Sequence, residues 1–176
     1  DKRQTTCYNI IKEREIKQTQ GENKMERKVI AFDMDGTIAN LYAVENWLGK
    51  LRAEDATPYM DAEPLWDMLE LKAVLEELKM VGWEIRIITW LSMDSTECYK
   101  EEVRVAKLEW LKKYDFPYDH FHGVQYGATK ADSIRKYAEY GILIDDNDKV
   151  RNGWHMGATI NPVEENIIEG LRNLLK

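Results

Sequence analysis

The sequence Asp33-Met34-Asp35-Gly36-Thr37 follows directly on an apolar run, Val29 to Phe32. Two carboxylates two residues apart at the carboxyl end of a buried parallel strand can face one crevice, and open α/β sheets bind their ligands there. Gly36 permits a tight turn and a close backbone approach. For this pentapeptide alone, an acidic surface turn is the plain alternative. A second apolar run, Ile142 to Ile144, opens onto Asp145 and Asp146. Side by side, the two strand ends would concentrate four carboxylates in a small volume, and such charges repel unless a cation or raised pKa values relieve them. An all-oxygen site with open positions suits Mg²⁺, which keeps waters and shares its coordination with a substrate phosphate. Thr89 ends a third run, Ile85 to Ile88, with a hydroxyl, and Lys130 stands before the strand that ends at Asp145. Hydroxyl and ammonium together complement the equatorial oxygens of a phosphoryl group.

These residues need a sheet to hold them. Short apolar runs alternate with amphipathic stretches after Met25, the pattern of a parallel sheet wound with helices. Phe121 to Val124 and Met156 to Ile160 are weaker strand candidates. The spacing predicts a helix from Pro64 to Gly82, with an apolar face of Leu65, Met68, Leu69, Leu75 and Leu78. Another is predicted from Thr96 to Tyr114, its face marked by Val103, Ala106, Trp110 and Leu111. The charges around Lys100 to Lys113 read as the solvated side of that helix. Residues 129–139 and 164–175 read as further helices, Ala39 to Glu54 as helical, and Asp55 to Glu63 as a loop.

Composition narrows the function classes. With 176 residues, 44% hydrophobic and 32% charged, the chain fits one globular domain. Its formal charge of −7 offers no broad basic track for a nucleic acid. No apolar run is long enough to span a bilayer. Cys7 and Cys98 lie far apart with no CxxC and no Cys/His cluster, so neither a disulfide framework nor a zinc site is implied, and a cytoplasmic location is expected. Residues 1–24 are polar and read as an N-terminal extension, non-native or flexible, with Met25 as the biological start; a short native helical arm is the other reading.

Taken in order, Asp33 to Thr37, Thr89, Lys130 and Asp145-Asp146 resemble the four-part signature of the haloacid dehalogenase superfamily, spread over most of the chain after Met25. Within it, Asp33 to Thr37 and the run Ile144-Asp145-Asp146-Asn147-Asp148-Lys149-Val150-Arg151 are similar to the 5'(3')-deoxyribonucleotidase group. The resemblance implies a Rossmann-like parallel sheet with helices on both faces and a small helical cap insertion. It implies that Asp33 attacks phosphorus and that Asp35 protonates the leaving oxygen. It also implies Mg²⁺ held by Asp33, the backbone carbonyl of Asp35, and Asp145, with Asp146 behind them or bound through water. The roles are chemically sound, because an acid that later serves as base is what a two-step hydrolysis needs. The superfamily's dehalogenases lack an acid two residues after the nucleophile, so Asp35 disfavours dehalogenation; phosphomutases keep it.

The insertion between the first two motifs, about residues 38–63, is a small cap at most. It contains Leu41, Tyr42, Trp47 and Tyr59, and Trp90 follows Thr89. Tyr42, Trp47 and Trp90 are candidate base contacts, each stacking contact worth roughly 1 to 3 kcal/mol. Packing of cap against core is the alternative, favoured for Trp47. The expected function is a Mg²⁺-dependent phosphomonoesterase acting on nucleoside or deoxynucleoside monophosphates. Competing readings are a phosphatase for another small ester or a polynucleotide end, and a non-catalytic phosphate-binding module. An open site under a small cap leaves room for a second subunit, a homo-oligomer. His120, His122 and His155 have no nameable metal partner.

Overall fold

The computed structural model describes residues 27–176; the expectations for residues 1–24 and for Cys7 lie outside them. Five strands form one parallel sheet: β1 (Lys28–Phe32), β2 (Trp83–Trp90), β3 (His120–Val124), β4 (Tyr140–Ile144) and β5 (Thr159–Ile160). Their order is β3-β2-β1-β4-β5. The chain builds outward from β1 in one direction through β2 and β3, then returns to the other side for β4 and β5. The crevice at that reversal opens between the carboxyl ends of β1 and β4, where the two acidic motifs begin.

Burial on both faces explains why β1 and β4 are continuous apolar runs. One face of the sheet sets Ile30, Phe32, Ile85, Ile87, Ile142 and Ile144 against side chains of three helices. These are α3 (Met68–Met80), α4 (Glu97–Lys113) and α6 (Ile167–Asn173). The other face packs Val29, Ala31, Ile88 and Leu143 against Ile134, Ala138 and Trp154. Three shorter helices are α1 (Trp47–Arg52), α2 (Thr57–Asp61) and α5 (Asp148–Asn152); residues of α1 and α2 pack with Leu91, Tyr99 and Val103 in a third cluster. Among the described residues, no helix is long and apolar enough to cross a membrane.

Several elements differ from the sequence expectation. The helix expected from Pro64 begins at Met68, because Asp67 accepts from the backbone N–H groups of Leu69 and Glu70 and caps it there. Pro64 forms a bridge with Ala39 instead. The buried stripe is Leu71, Val74, Leu75 and Leu78, the i, i+3, i+4, i+7 set, and Leu69 is 83% exposed. Residues 39–54 split into a 3₁₀ turn at Leu41–Ala43 and α1, broken at Asn46, whose φ of 53° is left-handed. The expected loop at 55–63 contains α2, with Pro58 in its first turn. Residues 129–139 form no α-helix: a 3₁₀ turn at Lys130–Ser133 runs into further turns that seat Ile134 and Ala138 in the core.

Candidate active site

Asp33 leaves β1 with its backbone N–H donating to Ile144 O at 2.9 Å, so the two acidic strand ends lie side by side. The loop then closes on itself: the N–H groups of Thr37, Ile38 and Ala39 converge on Met34 O at 3.2, 3.0 and 2.9 Å. Gly36 sits at φ +76°, and a Cβ there would lie 2.5 Å from both Asp146 Oδ2 and the Tyr42 ring. No other residue fits without moving an acid of the site. Thr37 Oγ1 accepts from the Asp146 N–H at 3.1 Å, which pins the second acidic turn to the first. Arg151 adds a brace, donating to Asp145 O at 2.6 Å.

Asp33, Asp145 and Asp146 each offer an oxygen within 4.8 Å of the others. Asp33 and Asp145 are buried, and the buried Lys130 donates to Asp33 Oδ1 and Asp145 Oδ2, both at 2.6 Å. One lysine does not balance three acids. Burial, then the Asp33 charge, pushes Asp145 up to about 6 against the pull of Lys130. Burial, then Asp33 and Asp145, pushes Asp146 up to about 7. Burial pulls the Lys130 ammonium down, but Asp33 and Asp145 together outweigh it and leave its pKa raised. A compact set of hard oxygen donors carrying this surplus of negative charge fits Mg²⁺ chemically. Asp146, expected behind the ligands, reaches the same cluster as Asp33 and Asp145.

The Asp35 side chain does not join the triad. It accepts from Lys107 at 2.6 Å, and the same ammonium donates to Thr89 Oγ1 at 2.7 Å and to Trp90 O at 2.9 Å. Burial raises the Asp35 carboxyl above its ordinary range, with Lys107 opposing and Asp33 adding to the rise. Lys107 was expected on a solvated helix face, and the structure overturns that: it is fully buried. The signal was present in its position, four residues after Val103 and three before Trp110, inside the apolar stripe of α4.

Above the acids lies a cleft of about 370 Å³. Tyr42, Trp47, Tyr59, Trp90 and Tyr126 line it together with Asp33, Asp35, Lys130 and Asp145. Tyr42 and Trp47 meet edge to face with ring centres 5.1 Å apart. Trp90 and Tyr126 are tilted at 4.8 Å, and the Trp90 Nε1–H donates to Ala128 O at 3.0 Å. Trp47 serves two ends, since it also packs against the cluster of Leu41, Tyr59, Leu91 and Tyr99. The sequence reading missed Tyr126, although its place just beyond the carboxyl end of β3 marks the crevice side of the sheet. His120 and His122 lie outside the cleft, paired with Glu84 at 3.2 Å and Arg86 at 3.0 Å respectively. His155 meets Arg135, and Cys98 is exposed.

No protein-family model matches the sequence, and the curated proteins give no match. Among solved structures, the chain is similar to two structures of the Pnkp1/Rnl/Hen1 RNA repair complex. The TM-scores are 0.54 and 0.56 at 15% identity, over 80% of this chain and 44% and 47% of those chains. It thus spans under half of their length. It is also similar to the D,D-heptose 1,7-bisphosphate phosphatase from Burkholderia thailandensis, with a TM-score of 0.51 at 10% identity over 85% of this chain and 99% of that one. At such identities the likeness is one of fold. The five-stranded parallel sheet, with its acids at the β1–β4 crevice, is therefore the Rossmann-like α/β fold of these structures, the fold that resemblance to the haloacid dehalogenase superfamily implied.

Proposed function

We propose that the protein is a Mg²⁺-dependent phosphomonoesterase that works through an aspartyl-phosphate on Asp33. The observation that carries this reading is the division of one loop's acids: Asp33 sits in the triad over Lys130, and Asp35 is held apart by Lys107. Asp33, Asp145 and Asp146 would hold the metal, joined by the Asp35 backbone carbonyl that the family resemblance implies. When bound, the ion offsets the repulsion between an anionic nucleophile and an anionic ester.

The chain's own groups perform the rest. An Asp33 carboxylate oxygen bonds to phosphorus as the bond to the leaving oxygen breaks, and Asp35 gives that oxygen its proton. Water then attacks the phosphorus of the aspartyl-phosphate and returns a proton to Asp35, and the bond to Asp33 breaks to release phosphate. The raised Asp35 carboxyl suits a group that must begin protonated. Thr89 and Lys130 hold the equatorial oxygens.

The preferred substrate class is a nucleoside or deoxynucleoside monophosphate, supported by the two aromatic ring pairs that wall the cleft. A second reading, a phosphorylated polynucleotide end, is favoured by the likeness to an RNA repair complex. The net charge of −7, with Lys130 and Arg52 the cations among the described residues that line the cleft, argues against it. A phosphate-release screen over nucleotides, sugar phosphates and end-phosphorylated oligonucleotides, with and without Mg²⁺, decides. Release only with Mg²⁺, fastest from nucleoside monophosphates, is expected. A preference for sugar phosphates over every nucleotide would end the nucleotide reading.

A further inference from the structure

We propose that Lys107 is a positioning residue for this chemistry, holding the acid Asp35 and the phosphate-binding Thr89 in one fixed relation. The inference rests on the phosphomonoesterase reading above. Lys107 lies on α4 and is fully buried, and a buried ammonium survives only when its donors are matched. It has three N–H donors, and the structure supplies three acceptors: Asp35 Oδ2 at 2.6 Å, Thr89 Oγ1 at 2.7 Å and Trp90 O at 2.9 Å. Its ammonium also lies 4.9 Å from the centre of the Tyr59 ring, on α2 of the insertion. A lysine there only to fill space would be better replaced by Met or Leu, which bury without such demands.

The three bonds have consequences for the reaction. With Oδ2 of Asp35 engaged by Lys107, the transferable proton belongs on Oδ1, so the choice of oxygen facing the leaving group is made before substrate arrives. Thr89 is fully buried and its Oγ1 accepts from Lys107, so its own hydroxyl proton is directed away from the ammonium and is left to donate to a phosphoryl oxygen that reaches it. The Trp90 carbonyl takes the third bond, which fixes the end of β2 beneath the aromatic wall. Lys107 itself gives up no proton: the proton moves from Asp35 to the leaving oxygen as the phosphorus–oxygen bond breaks. The two buried lysines thus divide the site. Lys130 serves the triad that includes Asp33, and Lys107 serves Asp35.

A leaving-group series tests this. In Lys107→Met, which keeps side-chain length and removes every donor, kcat/KM for an aliphatic ester such as a nucleoside monophosphate should fall roughly 100-fold or more, the scale of general acid catalysis. For p-nitrophenyl phosphate, whose leaving group needs no proton, the fall should stay below about 10-fold. In the Asp35→Asn background, Lys107→Met should cost the aliphatic ester only the same loss, below about 10-fold, that it costs p-nitrophenyl phosphate, the share that falls on Thr89, because the function of the acid is already gone. Equal losses across the series, or losses that multiply in the double variant, would overturn the positioning role and leave Lys107 a structural residue. Should Lys107→Met not fold, Lys107→Gln, which keeps an amide donor, takes its place in the same series. A wild-type protein that cleaves none of the esters overturns the phosphatase reading and this role with it; an active wild type with uniform losses overturns the Lys107 role alone.

Discussion

Asp33 and Asp35 stand two residues apart on one loop, yet they are held by different lysines on different elements. Asp33 Oδ1 accepts from Lys130, in the turn before β4, and Asp35 Oδ2 accepts from Lys107, on α4, each at 2.6 Å. Their shared loop puts them in one cleft, and their separate partners set one among the clustered acids and hold the other apart from them. That separation is what the proposed division of roles, nucleophile and acid drawn from the same residue type, requires.

Asp33→Asn should abolish turnover, with kcat reduced roughly 10³-fold or more, because an amide is a poor nucleophile of nearly the same shape. The melting temperature should stay within a few degrees of wild type. Beryllofluoride trapping should mark Asp33 in the wild type and nothing in the variant; near-normal turnover by Asp33→Asn would remove it from the nucleophile role.

The metal-free protein should lose stability as pH rises from 5 to 8. Asp146 and Asp145 stand at about 7 and about 6 when folded, both raised chiefly by burial, against about 4 when unfolded. Between those values the folded state binds protons that the unfolded state has released, so the contribution is intact below about pH 4 and lost as pH passes the folded values. For Asp146, allowing for screening of its exposed side, the loss is roughly 1 to 2 kcal/mol. Melting scans in chelator should show wild type falling relative to Asp146→Asn over that range. Added Mg²⁺ should restore more stability at pH 8 than at pH 5.

Gly36→Ala should destabilise the fold by roughly 1 to 2 kcal/mol from its positive φ alone. The new Cβ also meets Asp146 Oδ2 and Tyr42 at 2.5 Å, so Mg²⁺ affinity should fall together with stability. Calorimetric titration with Mg²⁺ and a melting scan on the same sample check both; an unchanged metal affinity would separate the loop from the acid cluster.

Tyr42→Leu offers the cleanest test of base stacking, since Tyr42 is 51% exposed and its loss disturbs packing less than that of Trp47. One stacking contact of roughly 1 to 3 kcal/mol corresponds to about 5-fold to 150-fold in kcat/KM for nucleoside monophosphates. For p-nitrophenyl phosphate the change should be under about 3-fold. Equal losses on both would assign the ring to the packing of the insertion.

All five strands and the acids at the ends of β1 and β4 were legible in the sequence. A parallel strand buried on both faces must be apolar throughout, and its polar terminus is then conspicuous. Thr89 and Lys130 were legible only as residue types in order along the chain; the structure brings both beside the acids, Lys130 on Asp33 and Asp145 and Thr89 joined to Asp35 through Lys107. Helix starts were less so: Pro64 was read as one, whereas α3 starts at Met68 behind its cap Asp67, where Leu71, Val74, Leu75 and Leu78 pack on the sheet. The burial of Lys107 is marked in the sequence by its register between Val103 and Trp110, against the charges of Lys100, Arg104, Lys112 and Lys113 around it, but its partners were decided by tertiary structure alone. Nothing nearby in the chain announces that Asp35, 72 residues away, will accept from its ammonium. Local sequence fixes which groups can ionise and how they repeat along an element; which of them meet depends on contacts between elements distant in the chain, and those exist only once the sheet has closed.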